Sequence, residues 1–208
     1  MPFSDFTLDS VRRKLGVTTA LATIFPNLRP VPPPAWLLDG FSRNTPLSRG
    51  SEQARRESLI APVLSAARFV SGDKLAIFSA QAFDVDASRG LNGECDYLVA
   101  VAPPIPPVRS PVVAVVEAKK ADIELGLGQC VAEMVAVHEF NRDEGEPAAP
   151  VYGCVTNGDQ WQWLKLDGNR ALMDPHRQTV EDVGFILSAF LAIVAEYEAV
   201  AAVAGPKP

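Results

Sequence analysis

An acid and an amine stand together at the end of an apolar run in the middle of the chain. Residues 112–116 are all Val or Ala, a composition typical of a buried central strand, and Glu117 and Lys119 follow them. Because strand side chains alternate between the two faces of a sheet, both point to the same side, about 6.5 Å apart. Burying either charge alone is costly, so the two form a structural ion pair or part of a functional site, unless Lys119 begins a solvated turn.

Five polar residues, each embedded in an apolar segment, could meet at one edge of the predicted sheet. They are Glu57, Asp96, Glu117, Lys119 and Gln129. Two neighbouring carboxylates, Asp96 and Glu117, with Glu57 close to them, make an oxygen-rich site of the kind that Mg²⁺ favours. The metal could lower the pKa of a bound water, while Lys119 orients that water or stabilises developing negative charge. Hydrolysis of a phosphodiester bond is the reaction that needs this set of groups.

Apolar periodicity predicts the elements that would position these residues. The predicted elements are a helix from Ser51, strands over 75–85, 94–102 and 112–118, a helix over 122–141, and strands over 151–156 and 160–166. Asn157-Gly158-Asp159, between the last two strands, is a strong hairpin signal. This order predicts an α/β fold with a mixed β-sheet flanked by helices.

The segments on either side of this core are expected to pack onto it. Residues 1–50 are predicted to form an N-terminal arm, with a helix over 7–16 and a proline-rich stretch over 25–44 that wraps the surface. Residues 51–208 are predicted to form the domain itself. This domain ends in a C-terminal helix over 180–203 that is apolar nearly all round.

Two glycines, Gly126 and Gly128, lie near the start of the helix over 122–141. Each weakens a helix by about 1 kcal/mol relative to Ala, so we expect a reason for their presence. Close approach of the backbone to a neighbouring strand or to a ligand would explain both. A dinucleotide-binding fingerprint would not, because the third glycine of that motif is missing.

Asp96, followed on the next predicted strand by the run EAK at 117–119, resembles the motif of the PD-(D/E)xK nuclease superfamily, which has the restriction-endonuclease-like fold. Cys95 stands where the motif has proline. Glu57 matches the acidic residue that many members carry on the first core helix. Gln129 matches the glutamine on the helix that follows the Glu-x-Lys strand.

The resemblance extends to the hairpin TNGDQWQWLKL at 156–166, which is similar to the strand pair found after that helix in type I restriction subunits. The stretches LNGECDYLV and VVEAKKADIELGLGQCVAEM are similar to small stand-alone bacterial members of the superfamily. The resemblance covers residues 51–166. The resemblance implies a restriction-endonuclease-like core and metal-dependent cleavage of nucleic acid, with DNA as the expected substrate. It implies catalytic roles for all five residues, and Mg²⁺, or Mn²⁺ as a substitute, bound by Asp96, Glu117 and Glu57.

Two further hypotheses compete with a nuclease. One is a catalytically inactive module that keeps the nuclease fold for binding or assembly, and the other is a structural oligomer whose strand-end charges pair with each other. The intact set of Asp96, Glu117 and Lys119 favours the nuclease, whereas the formal net charge of -6 favours an inactive module or the need for a partner. Ser/His/Asp hydrolysis is disfavoured, because neither histidine lies near a Gly-x-Ser-x-Gly motif.

The three cysteines bear on the compartment. Cys95, Cys130 and Cys154 are odd in number and widely spaced, and no Cys-x-x-Cys pair is present. We therefore expect buried free thiols in a reducing cytoplasm rather than disulfides or a zinc site. The N-terminal residues lack the basic and apolar regions of a signal peptide, and we expect a cytoplasmic protein that does not bind membranes.

We predict a homodimer held by the C-terminal helix. One apolar stripe consists of Ile186, Phe190, Ile193, Tyr197 and Val200, and another of Leu187, Leu191 and Val194. A helix that is apolar on both sides must be buried on both sides. The acidic residues that follow make the apolar run too short for a membrane span. Light scattering at micromolar concentration measures the mass, and a monomer would contradict the prediction.

Overall fold

The structure of the protein is a computed structural model that describes residues 2–205. Its strands are β1 (Thr18–Leu21), β2 (Ala76–Ala82), β3 (Glu94–Ala100), β4 (Val112–Ala118), β5 (Val151–Thr156), β6 (Gln160–Asp167) and β7 (Arg170–Thr179). They form one sheet in the order β1-β7-β6-β5-β4-β3-β2. Neighbouring strands pair antiparallel except β4 with β5 and β1 with β7, which are parallel. The sheet is therefore mixed.

Helices cover both faces of this sheet. They are α1 (Leu8–Leu15), α2 (Ala35–Asn44), α3 (Glu52–Arg55), α4 (Ala61–Val70), α5 (Leu127–Asp143) and α6 (Val183–Ala204). A π-helical turn, Arg56–Ile60, joins α3 to α4, so that the three segments form one continuous helix. Helices α1 and α5 share the hydrophobic core on one face, and α2, α4 and α6 share the core on the other. The predicted α/β class, with a mixed sheet flanked by helices and an apolar C-terminal helix, is confirmed.

Strand β4 has the bounds predicted from the sequence, and all seven of its residues are buried. It lies between β3 and β5, and the two cores cover its faces. A strand that is covered on both faces reads as a continuous apolar run instead of an alternating one. The Val- and Ala-rich composition of this segment follows from that position.

Two strands, β1 and β7, lie in segments where no strand is predicted from the sequence. Strand β1 has four residues, most of them exposed, and β7 contains Pro175 and several exposed polar residues. Neither segment shows the regular alternation of a half-buried strand. Strand β7 pairs with β6, and β1 pairs with β7. Both pairings are contacts between strands that the local sequence does not encode.

The N-terminal segment, residues 2–50, packs as part of the same cores as the rest of the chain. Phe3 and Phe6 are buried against the α5 side, and Leu37 is buried on the other side. The hydroxyl of Ser188 on α6 accepts a hydrogen bond from a backbone N–H of the proline-rich stretch, at Val31, over 3.1 Å. These contacts fix the segment at both faces of the sheet.

The three cysteines, Cys95, Cys130 and Cys154, are buried and free, as expected. Burial raises the pKa of each thiol above its ordinary value. They are therefore neutral thiols that pack in the core.

The apolar stripes of helix α6 are only partly covered within a single chain. Ile186, Phe190 and Ile193 of one stripe are buried, and so are Leu187 and Val194 of the other. The remaining members, Leu191, Tyr197 and Val200, are partly exposed. The helix packs against α4, β4 and β7. The reason for expecting a dimer now applies to the partly exposed residues, so the homodimer stays a prediction.

By length and composition, Val180–Ala204 is also the one helix among residues 2–205 that could cross a membrane. The mean hydropathy of its most apolar stretch is 1.9, and 39% of that stretch is buried within the chain. A helix that belongs to a protein core passes the same test. The property is therefore weak ground for a membrane span.

Gly128 lies where helix α5 meets the N-terminal segment. A Cβ at this position would lie 2.4 Å from the Cα of Thr7 and 2.5 Å from the carbonyl oxygen of Phe6. Both atoms belong to the backbone and cannot turn aside. The backbone does approach closely at Gly128, but its neighbour is the N-terminal segment and not the expected strand or ligand.

We predict that Gly128→Ala lowers the free energy of unfolding by about 1–3 kcal/mol, because the added methyl group must displace the backbone around Thr7. Gly50→Ala is the matched control, since Gly50 has a helical φ of -74° and open space around it. The control is expected to be neutral or stabilising by up to about 1 kcal/mol. Urea denaturation measures both, and a Gly128→Ala variant as stable as the control would contradict the prediction.

Candidate functional site

Asp96 and Glu117 lie side by side on β3 and β4. The last register pair between these strands is Tyr97 with Val116, and the next residue along each strand is Asp96 and Glu117. The backbone N–H of Ala118 donates a hydrogen bond to Asp96 Oδ2 over 2.8 Å, which fixes the aspartate beside β4. The antiparallel pairing thus brings together two acids that are far apart in sequence.

Lys119 turns toward the same acids just beyond the end of β4. Its backbone N–H donates to the carbonyl of Thr156 over 2.8 Å, so the strand pairing continues for one residue. Its Nζ donates one hydrogen bond to Glu117 Oε1 and another, of 3.3 Å, to Gln129 Oε1 on α5. The structure therefore brings together four of the five predicted residues, Asp96, Glu117, Lys119 and Gln129.

Gly126 makes room for the Lys119 side chain. A Cβ at Gly126 would lie 3.0 Å from Lys119 Cε and 2.7 Å from Val155 Cγ1. The glycine ends a 3₁₀ turn, Ile123–Gly126, which leads into α5. The expected close approach of backbone to a neighbouring strand is confirmed here, and it includes the candidate site lysine.

Glu57 is not brought into this cluster. Its side chain is exposed and accepts a hydrogen bond of 2.7 Å from Gln53, one helical turn earlier. Ser58, Leu59 and Ile60 are the buried residues of the π-helical turn. A π-helical turn contains more residues than an α-helical one, so the helix face at Glu57 differs from the face that a regular period predicts.

Arg56 and Glu52 lie on the side of the long α3–α4 helix that faces the candidate site. They are four residues apart, the spacing of one helix face. Arg56 Nη1 lies 2.8 Å from Asp96 Oδ1, with both side chains 13% exposed. Glu52 is near enough for its charge to raise the pKa of both Glu117 and Lys119. Neither residue is predicted from the sequence in this role.

Glu133, on α5, also belongs to the site and is not among the predicted residues. It is 0% exposed, and its Oε1 accepts a hydrogen bond of 3.0 Å from Gln129 Nε2. One signal in the sequence could have found it, because Glu133 lies four residues after Gln129 and is the only charged residue in the run CVAEMVAV. An acid in an apolar helix run, on the face of a candidate residue, indicates a buried polar network.

Burial dominates the electrostatics of the site. Burial, and then the charge of Asp96, raise the pKa of Glu117 to about 7, and the ion pair with Lys119 offsets only part of this shift. Burial alone would lower the pKa of Lys119, but the charge and hydrogen bond of Glu117 raise it above its ordinary value. Lys119 is therefore a protonated donor at neutral pH, and Glu117 is close to its midpoint.

The donor set can be compared with the needs of a divalent metal. No group of three or more His, Cys, Asp or Glu side chains within residues 2–205 could hold a metal by itself. Mg²⁺, however, is often bound by one or two carboxylates and keeps several waters. Glu117 Oε2 is buried and has no hydrogen-bond partner within the described chain, so it could accept a cation. Asp96 and Glu117 thus fit a hydrated Mg²⁺ if Arg56 leaves Asp96 Oδ1.

Comparison of the chain with models of protein families and with curated proteins found no match.

We predict that Glu117→Gln stabilises the metal-free protein, and that this gain grows as the pH rises. The folded pKa of about 7 lies above the ordinary value of 4.5, so folding favours the protonated form of Glu117. Wild-type stability therefore falls as the pH rises from 4.5 to 7, by up to about 1.4 kcal/mol per pH unit on account of this group. The glutamine variant lacks this loss.

Thermal and urea unfolding at pH 5 and pH 8, without metal, measure the effect. If Glu117→Gln instead costs about 3–5 kcal/mol at pH 8, Glu117 and Lys119 form a structural ion pair whose loss leaves a buried charge uncompensated.

Proposed function

We propose that the chain is a metal-dependent nuclease that hydrolyses phosphodiester bonds of nucleic acid, with DNA as the expected substrate. The observation that carries the proposal is the meeting of Asp96, Glu117 and Lys119 at one end of two adjacent strands. Two acids and a protonated amine at one place supply the charges that this reaction needs.

The order of the elements supports membership of the PD-(D/E)xK superfamily and a restriction-endonuclease-like core. A long helix, α3 to α4, precedes the three antiparallel strands β2, β3 and β4, and α5 with the β5–β6 hairpin follows. This is the layout that the resemblance implies. Gln129 near the start of α5, in contact with Lys119, agrees with the glutamine of that pattern.

In this proposal Mg²⁺, or Mn²⁺ in its place, would be held by Asp96 and Glu117. The bound metal would activate a water and stabilise the negative charge that develops on the phosphate. Lys119 has three N–H donors, two of which bind Glu117 and Gln129. The third can orient a water or a phosphate oxygen.

Attraction of a nucleic acid to this surface must come from a few local cations. Arg55 is bound to Asp159 over 2.7 Å, and Arg56 to Asp96, so these arginines are already paired. Lys120, next to the site, is exposed. With a net charge of -6, we expect weak binding that falls further as the salt concentration rises.

The alternative function is a catalytically inactive module that keeps this fold for binding or assembly. One observation favours it: Arg56 lies on Asp96 and Lys119 lies on Glu117, so each acid already has a cationic partner. In that case neither acid needs a metal, and the site is a pair of ion pairs at the end of the sheet.

We predict that Glu117→Gln and Lys119→Met separate metal binding from catalysis. Glu117→Gln removes a ligand charge, so both Mn²⁺ affinity and cleavage should be lost. Lys119→Met keeps both carboxylates, so Mn²⁺ should still bind, while cleavage falls about 10²–10³-fold because the developing charge loses its donor. Titration calorimetry with Mn²⁺ and nicking of plasmid DNA measure the two effects, with a structured RNA tested in parallel.

Glu57→Gln is the control, because the sequence pattern includes Glu57 among the metal ligands and the structure places it outside the cluster. This variant should bind Mn²⁺ like the wild type. A wild-type protein that neither binds Mn²⁺ nor cleaves, together with strong destabilisation of both site variants, would contradict the nuclease and support the inactive module.

A further inference from the structure

Glu133 is a buried acid that the proposed reaction does not use directly. It is 0% exposed, and the residues before and after it in helix α5 are apolar. Its Oε1 has one hydrogen-bond partner, and its Oε2 has none within the part of the chain that the structure describes. Burying a carboxyl group with so few partners costs stability, so packing alone does not account for an acid here.

The one partner of Glu133 is Gln129, which in turn contacts Lys119. An ammonium group is only a donor, so Gln129 must present its amide oxygen to Lys119. The opposite end of that amide is an NH₂ group, which needs an acceptor. Glu133 Oε1, 3.0 Å from Gln129 Nε2, is that acceptor. An amide turned by 180° would place its NH₂ group against the Lys119 ammonium, so that two donors would face each other.

We propose that Glu133 is a positioning residue of the same site: by accepting from Gln129 Nε2, it fixes the amide orientation that holds Lys119 beside Glu117. Glu133 acts through Gln129 and touches neither a metal nor a substrate. Its catalytic consequence rests on the proposed nuclease function, whereas its effect on the Gln129 side chain does not.

The protonation state of Glu133 decides which variant is the matched control. Burial, and then the charge of Glu117, raise the pKa of Glu133 well above its ordinary value, which favours the neutral form of the carboxyl group. A neutral carboxyl group keeps a carbonyl oxygen that accepts from Gln129. Glu133→Gln has the same charge, nearly the same volume and the same acceptor. Glu133→Leu removes the acceptor while keeping the position filled.

The first experiment does not depend on catalysis. NMR relaxation of the Gln129 side-chain NH₂ group reports how firmly the amide is held in the wild type and in the two variants. We expect the amide to be rigid in the wild type and in Glu133→Gln, and to lose its order in Glu133→Leu. An amide that is equally rigid in Glu133→Leu would overturn the proposal.

The second experiment measures cleavage of DNA with Mn²⁺. Glu133→Leu should lower kcat by about 10- to 100-fold, as is typical for groups that orient a catalytic partner, with KM and Mn²⁺ affinity unchanged. Glu133→Gln should restore the wild-type rate. The double variant Gln129→Leu/Glu133→Leu should be no slower than Gln129→Leu alone, because both changes remove one chain of contacts.

A merely structural role would make the two losses of activity multiply in the double variant. Multiplied losses would overturn the proposal. A Glu133→Gln variant as slow as Glu133→Leu would overturn it too. A wild-type protein without cleavage would contradict the nuclease function, and the NMR measurement would then decide the role of Glu133 on its own.

Discussion

The charge of Glu117 at the buried end of β4 is the constraint on which the site depends. With 1% of its side chain exposed, this carboxylate has exchanged water for protein contacts, and an unpaired charge in such a place costs several kcal/mol. Lys119 compensates for part of that cost through one carboxylate oxygen, and the other oxygen has no partner among residues 2–205. The surrounding elements determine whether protonation, a cation or both offset the rest of the cost of burying this charge.

The scaffold holds these charges together by close approach at small residues. Gly126 brings the start of α5 so near to β4 and β5 that a methyl group would contact Lys119 and Val155. The lysine side chain therefore lies in a narrow passage between a helix and the sheet. The other cation, Arg56, lies on the long helix with the π-helical turn, which brings it onto Asp96. Both cations are thus placed by helices that pack on the strands carrying the acids.

A nuclease and an inactive module would differ in which cation neutralises Asp96 and Glu117. In the nuclease, Asp96 and Glu117 would hold a metal ion, and Arg56 would have to leave Asp96 Oδ1. In the inactive module, Arg56 and Lys119 keep the acids permanently. The raised pKa of Glu117, about 7, means that the neighbouring cations do not fully stabilise its charge. A divalent ion would supply the missing stabilisation in the nuclease, and a proton would supply it in the inactive module.

The sequence by itself determined the elements whose pattern is local. Strand β4 was predicted with its observed bounds, because a Val- and Ala-rich run bordered by polar residues has few other solutions. The Asn157-Gly158-Asp159 turn was predicted from residue types that suit a tight hairpin, and the close approach to a strand at Gly126 from a glycine near the start of a helix. The meeting of Asp96, Glu117, Lys119 and Gln129 was expected from their places on the predicted strands and helices, but the same reasoning also included Glu57, which lies outside the cluster.

The tertiary structure alone decided the features that depend on helix phase and on distant contacts. A π-helical turn turned Glu57 to solvent and left Arg56 facing Asp96, and a regular 3.6-residue period cannot reveal such an insertion. Strands β1 and β7 formed by pairing across the chain, without an alternating pattern of their own. The burial of Glu133 beside Gln129 likewise depends on the packing of α5 on the sheet.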